Sequence, residues 1–430
     1  MRHRDNKVKY RTGFDLFRKN TGIILAVAMV ITMAGCEATS VPEVSSVPES
    51  VSNETTEAEN KETIPGIEET VPETEEVKRQ AVEQDENGYP YLSEEVDEEY
   101  QKDLFVEGSS YLGYTVERTG SVKSLRAETA VLKHNTSGAT VYLIRNDDKE
   151  LAFDISYRVP QLNNADIPHI FEHSILAASE KYPATDLFFD MANTTYNTYI
   201  NAFTFNTCTS YLFSTLSQGQ FIKLLDGYMS CMTSPKVLEN ENYFKREAIR
   251  YQLYDIDEPI TLNGVVFSED TGSMTDANDI AGYAVNDSLY PDTIMSNYVG
   301  RCYTDLENLN YNNLHDVYDS YYRFDNAVII LYGDMDYKAV LEYLDREYLA
   351  KHPKKEEPVN IPEIKVPKGY IETEYDIPVY EEDTSGSQNR ITYAFDLSGF
   401  TSEEEREMLI FSDLMMDSSS TFMKAMKEEG

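Results

Sequence analysis

Residues 37–86 are composed mainly of Glu, Thr, Ser, Val and Pro without aromatics, and this stretch sets where a fold can begin. Such a segment buries too little apolar surface to offset the entropy of ordering its chain. Val-Pro-Glu recurs at Val41-Pro42-Glu43, Val47-Pro48-Glu49 and Val71-Pro72-Glu73, which describes a loose acidic tether over 37–87. A folded body is expected from about Tyr89, where aromatics become frequent and turn signals recur. The whole chain has 430 residues and 41% apolar content, enough for two or three domains with packed cores. Its net charge of −39 argues against a nucleic-acid partner, because displacing phosphate counterions needs Lys and Arg.

Ahead of the tether, Arg2, Arg4, Lys7, Lys9, Arg11, Arg18 and Lys19 precede an apolar run from Ile23 to Gly35. The run is short of the roughly 20 apolar residues that span a bilayer. A basic head, a short apolar middle and small residues at its end describe an export signal over residues 1–36. Met33-Ala34-Gly35-Cys36 resembles a bacterial lipobox, which implies lipidation of Cys36 and a membrane anchor facing outside the cytoplasm. An ordinary cleaved signal and an uncleaved anchor helix are the rival readings. The other cysteines, Cys208, Cys231 and Cys302, form no CxxC pair, and they read as buried reduced thiols.

Within the body, Ala139–Arg145 and Leu151–Val159 read as strands, and Asn146-Asp147-Asp148 between them reads as a hairpin turn. Ile167–Ala178 reads as a helix with Asp166 as its N-cap and Pro168 in the first turn. Further strands are expected over Thr195–Phe205, Thr209–Thr215 and Asn326–Tyr332, and helices over Gln218–Cys231, Glu241–Tyr254, Asn312–Tyr322 and Tyr337–Leu349. A Pro, Lys and Glu-rich linker occupies 353–368. A strand-like segment near Tyr370 and a helix over Glu403–Met416 follow, and the chain stops inside helical sequence. The fold class is α+β, a mostly antiparallel sheet backed by helices. One unit spans 88–352, and an incomplete second copy is expected over 369–430.

Residues 168–174 read Pro-His-Ile-Phe-Glu-His-Ser. On a helix, residues four apart share a face, so His169 and His173 can address one ion, and two neutral imidazoles are good zinc ligands. Glu172 is poorly placed to ligate beside His173 but can accept a proton from a water at that ion. This is the inverted HxxEH arrangement. The neighbours Ile170, Phe171, Ile175 and Leu176 argue that the helix is buried, and buried histidines and carboxylates need partners. A catalytic zinc wants a third protein ligand and one open position. Glu247 is the candidate, 74 residues after His173 (247 − 173) on its own amphipathic segment.

These residues are familiar. Pro168–Leu176 with Lys181-Tyr182-Pro183 resembles the pitrilysin/insulysin-type zinc metallopeptidases, and most closely their presequence-protease subgroup. The likeness continues through Asn201-Ala202-Phe203-Thr204, Ser234-Pro235-Lys236, Glu247 with Tyr251 and Leu253, Gly264-Val265-Val266-Phe267 and Tyr332-Gly333-Asp334. It implies one zinc held by His169, His173 and Glu247, with Glu172 as general base. It also implies that Asn201 and Ala202 bind substrate backbone by adding the peptide as a strand. A second half of the molecule, absent from this chain, would complete the substrate clamp. The sequence departs from the family where Asp166 replaces a frequent Gly and where Asn240 replaces a carboxylate, flanked by Glu239 and Glu241. It departs again where Phe-Ser-Glu-Asp-Thr-Gly follows Gly264-Val265-Val266 in place of the subgroup's usual Asn-Glu-Met-Lys-Gly pattern. The expected function is a zinc-dependent endopeptidase cutting unstructured peptides at the outer face of a bacterial membrane. The alternatives are a catalytically inactive peptide-binding lipoprotein of the same fold and a solute-binding lipoprotein.

Overall fold

A computed structural model describes residues 84–92, 98–273, 277–297, 299–300, 304–365, 369, 371–375, 392, 394, 397 and 400–428. The export signal with Cys36, nearly all of the tether, and Cys302 lie outside them. No helix among the described residues is long and apolar enough to cross a membrane.

The frame is a sheet of eight strands, β1 (Ser110–Tyr111), β2 (Tyr114–Val122), β3 (Ala127–His134), β4 (Thr140–Arg145), β5 (Leu151–Arg158), β6 (Tyr199–Thr204), β7 (Cys208–Thr215) and β10 (Ala327–Tyr332). They lie in the order β1-β2-β3-β4-β10-β5-β7-β6. Every neighbouring pair is antiparallel except β4 with β10. Two short strands, β8 (Arg250–Gln252) and β9 (Thr261–Asn263), form a separate ribbon.

The central strands show why this arrangement holds. β10 reads Ala-Val-Ile-Ile-Leu-Tyr, with little of the alternation of a half-exposed strand, and such runs belong in the middle of a sheet. Phe153, Ile155 and Tyr157 of β5, Tyr211 and Phe213 of β7, and Ile329 and Leu331 of β10 are buried in one continuous core. Helices α1 (Ile167–Ile175), α2 (Leu187–Thr194), α3 (Gln218–Thr233), α4 (Glu241–Glu247), α5 (Val265–Ser273), α6 (Ala277–Leu289), α7 (Tyr311–Tyr321) and α8 (Tyr337–Glu347) follow, then α9 (Ser402–Met416) and α10 (Thr421–Glu428). The mostly antiparallel sheet with helices is the expected class.

Several local expectations change. β4 and β5 do not form a hairpin, because β10 is inserted between them, parallel to β4 and antiparallel to β5. The loop joining them therefore arches over the end of β10. The Tyr332 hydroxyl donates to Asp148 Oδ2 at 2.9 Å, and Asn146 Nδ2 donates to that hydroxyl at 2.9 Å. Gly333 carries the chain out of β10 at a φ of 112°, and a Cβ there would lie 2.5 Å from the Glu150 carbonyl oxygen. The helix expected over Glu241–Tyr254 ends at Glu247, because Arg250–Gln252 pairs with Thr261–Asn263 instead. The strand expected from Thr195 starts at Tyr199. Near Tyr370, residues 371–375 carry no strand, and residues 376–391 are not described. Cys208 and Cys231 are buried and make no disulfide.

The start of the body is fastened by one buried carboxylate. Asp226 on α3 accepts hydrogen bonds from Tyr89 (2.9 Å), Tyr343 (2.6 Å), Tyr182 and Tyr348, and pairs with Lys181 Nζ at 2.7 Å. Burial alone would raise its pKa, but these donors outweigh it and hold the carboxylate below its ordinary range. Lys181 and Tyr182, quoted above for the family likeness, thus serve the packing of the body.

Candidate metal centre

α1 turns Ile170, Phe171 and Ile175 into the core, each fully buried. The remaining face carries His169, Glu172 and His173 toward α4 and β6, against which the helix packs. The imidazoles stand perpendicular (87°) with centroids 4.9 Å apart.

Each ring has a carboxylate at Nδ1 and shares another at Nε2. His169 Nδ1 lies 2.9 Å from Asp166 Oδ2, and His173 Nδ1 lies 3.4 Å from Glu247 Oε2. An ionised carboxylate only accepts, so each Nδ1 is a donor and each Nε2 keeps its lone pair when the ring is neutral. Both Nε2 atoms lie 3.7 Å from Glu269 Oε2 on α5. One ligand atom each from His169, His173 and Glu269 lies within 4.8 Å of the other two. Atoms bound tetrahedrally at about 2.1 Å sit roughly 3.4 Å apart, so this donor set fits a zinc ion.

Glu247 is therefore adjacent to the cluster but at the opposite ring nitrogen from Glu269. Arg246 Nε bonds its Oε1, and the same guanidinium reaches Asp186 Oδ2 at 3.3 Å and donates to the Thr185 carbonyl at 2.7 Å. Burial would raise the Glu247 pKa, but His173 and Arg246 hold it below the ordinary value. α4 and α5 are brought together at Gly264, where a Cβ would lie 1.7 Å from the Ala248 carbonyl oxygen. Only glycine allows that approach, which places Glu247 and Glu269 on two sides of His173.

The surrounding charge favours a cation. Burial would lower the pKa of His169, but the Asp166 bond and charge, then Glu172 and Asp270, outweigh it and hold it up at about 9. His173 is raised as well, with burial opposed by Glu247. Glu172 is buried, which raises its pKa, and this is moderated by the two imidazoles and a hydrogen bond with Thr204 of β6. A buried carboxyl with a raised pKa beside two histidines suits a proton acceptor.

Among the described residues β6 is an edge strand of the sheet, paired with β7 alone. The Ala202 N–H is held by Asn201 Oδ1 at 2.9 Å, and Asn201 Nδ2 donates to the Tyr199 hydroxyl at 3.1 Å. Asp166 sits at the N-cap position but makes no capping bond; its carboxylate serves His169 instead. Sequence reasoning passed over Asp166 as a ring partner and Glu269 altogether. Glu269 lies in the stretch after Gly264-Val265-Val266 that departs from the subgroup's usual pattern, so the resemblance assigns it no role.

Comparison with known proteins finds relatives of this chain. A family model described as the peptidase M16 inactive domain matches residues 308–430, a stretch that begins after Glu269. Presequence protease 1 of Arabidopsis thaliana is 30% identical over 238 residues, 54% of this chain and 22% of that protein. The mitochondrial presequence protease of Schizosaccharomyces pombe is 30% identical over 342 residues, 77% of this chain and 34% of that protein. The chain is similar to the presequence proteases, and its residues 308–430 match an M16 peptidase model. Protein HypA of Clostridium perfringens is 27% identical over 252 residues, 59% of this chain and 26% of that protein. This chain thus spans about a third or less of the length of these relatives.

Proposed function

We propose that this chain carries the metal centre of a zinc endopeptidase acting on unstructured peptides, with His169, His173 and Glu269 as ligands and Glu172 as general base. The observation that carries this reading is the convergence of both Nε2 atoms on Glu269 while each Nδ1 is held by a carboxylate. A bound zinc would supply Lewis acidity, lowering the pKa of water and polarising a peptide carbonyl. Asp166 and Glu247 orient the two rings and keep their Nε2 atoms available. Glu172 takes the proton of the attacking water and returns it to the departing amine. The β6 edge receives the extended peptide through main-chain hydrogen bonds, with Asn201 releasing the Ala202 N–H as the substrate takes its place.

This assignment moves Glu247 from ligand to ring partner and adds Glu269. Lipidation at Cys36 and a site outside the cytoplasm belong to the same proposal, as does a substrate clamp supplied by a further half of the molecule. Mass spectrometry of the mature N-terminus tests the anchor, since an unmodified terminus elsewhere contradicts it. The alternative of a peptide-binding protein without catalysis draws support from the description of the matching family model. Cleavage of a quenched peptide by full-length protein decides between them. The parent should cut and Glu172→Gln should not, with zinc content equal in both. Parent-rate cleavage by Glu172→Gln would overturn the assignment.

A further inference from the structure

Asp166 occupies backbone that favours glycine. Its φ of 55° and ψ of 33° place it in the left-handed region. Residues other than glycine enter that region sparingly, although Asp and Asn tolerate it best. The side chain is fully buried. It does not repay this conformation as a helix cap, since it makes no capping bond. Instead it collects three donors from three parts of the chain. Gln161 Nε2 donates to Oδ1 at 2.8 Å, the Gly300 N–H donates to Oδ2 at 2.9 Å, and His169 Nδ1 donates to Oδ2 at 2.9 Å. A strained residue persists where its surroundings fix it, and such residues gather at functional sites.

Asn297, close to Gly300 in sequence, is laced to the sheet end. Asn297 Nδ2 donates to the Gln161 carbonyl at 2.7 Å, and Asn206 Nδ2 donates to the Asn297 carbonyl at 2.6 Å. Gly300 has a φ of 104°, and a Cβ there would lie 2.8 Å from the Tyr283 hydroxyl. The Asp166 carboxylate is thus held from two sides before it meets the imidazole. Its position is set by the loop rather than by His169, so it can dictate where the ring points.

We propose that Asp166 is a positioning residue of the metal centre, a carboxylate added at a position where the backbone asks only for glycine. It fixes His169 with the proton on Nδ1, aims Nε2 at Glu269, and ties the ring to the Gly300 loop. The proposal rests on the reading of His169 as a ligand. Glycine at 166 would suit the backbone equally well but would leave the ring to find its own orientation and leave the Gly300 N–H without its acceptor. Asparagine with its oxygen toward Gly300 and His169 would keep an acceptor for those two donors, lose the charge, and turn its amide nitrogen toward Gln161.

The test uses the parent, Asp166→Gly and Asp166→Asn in the full chain, with three readouts: zinc affinity by competition with a chromogenic chelator, the down-field Nδ1–H resonance of His169 in ¹⁵N-histidine spectra, and thermal unfolding. Asp166→Gly should stay folded, lose the down-field resonance and bind zinc about 10–100-fold more weakly, the usual cost of removing a carboxylate behind a ligating histidine. Asp166→Asn should keep the resonance and lose about several-fold in affinity. Parent affinity together with a parent resonance in Asp166→Gly would overturn the proposal, as would equal losses in the two variants. If Asp166→Gly fails to fold, Asp166→Asn carries the test, and unchanged zinc affinity there refutes a role for the charge. A parent that binds no zinc refutes the metal reading, while an Asp166-dependent Nδ1–H signal in that protein still upholds the pairing.

Discussion

Glu247 meets His173 at Nδ1, 3.4 Å away, on the side of the ring opposite the cluster formed with Glu269. On the proposed assignment, the carboxylate facing Nε2 would share the metal with His169, and the one facing Nδ1 would hold the ring. Glu269→Gln should therefore weaken zinc binding more than Glu247→Gln, for which a loss of about 10–100-fold is expected. Chelator competition on both variants measures this, and the reverse order would restore Glu247 as the ligand.

Glu172 separates binding from chemistry. Glu172→Gln preserves side-chain shape on α1 and removes the proton acceptor, so peptide cleavage should fall about 10²–10⁴-fold. Zinc affinity should stay near the parent value. A variant that loses zinc as readily as Glu269→Gln would show that Glu172 is a ligand.

Gly264 lets the start of α5 approach the end of α4. A Cβ 1.7 Å from the Ala248 carbonyl oxygen cannot be accommodated without backbone movement. Gly264→Ala should cost about 3 kcal/mol, the upper part of the usual range for overpacking, and should also weaken zinc binding. Denaturant unfolding with a zinc titration checks both, and a variant with parent stability would mean that α4 and α5 slide freely.

Much of this site was legible because helical spacing is a strong local signal. His169, Glu172 and His173 fall on one helix, and the apolar residues between them mark which face is buried. Glu269 has no such signal. It is 96 residues from His173 (269 − 173), in an acidic stretch of an acidic chain, and only the approach at Gly264 brings it near. The same limit explains β4 and β5. Each read correctly as a strand, but the strand between them comes from Ala327–Tyr332, far along the chain. Helix α4 ran long in the sequence because nothing local reveals that Arg250–Gln252 finds a partner at Thr261–Asn263.

Two buried carboxylates give opposite pH dependence. Burial pushes Asp154 up to about 6, against hydrogen bonds from Ser156 and Ser210. A folded pKa above the unfolded value gives stability that is full below the unfolded value of 3.8 and lost as pH rises to about 6. Asp154→Asn should remove that slope and leave the protein about 1–2 kcal/mol more stable than the parent at alkaline pH, less than the full shift implies because one acceptor is lost. Asp226 is the opposite case. Its depressed pKa gives stability that is present above the unfolded value of 3.8 and lost as pH falls through the folded value. Asp226→Ala leaves the Tyr182, Tyr343 and Tyr348 hydroxyls without their acceptor, while half-exposed Lys181 returns to water, and should cost about 2–4 kcal/mol at neutral pH. Denaturant melts across pH on the two variants check the signs, and matching slopes would refute both assignments.

The metal centre itself is tested most directly by zinc stoichiometry. Purified folded protein, freed of loosely bound metal by desalting, should hold about one zinc per chain by elemental analysis, and the His169→Ala, His173→Ala double variant should hold none. A folded parent without zinc, or a double variant that binds it as the parent does, would contradict the account.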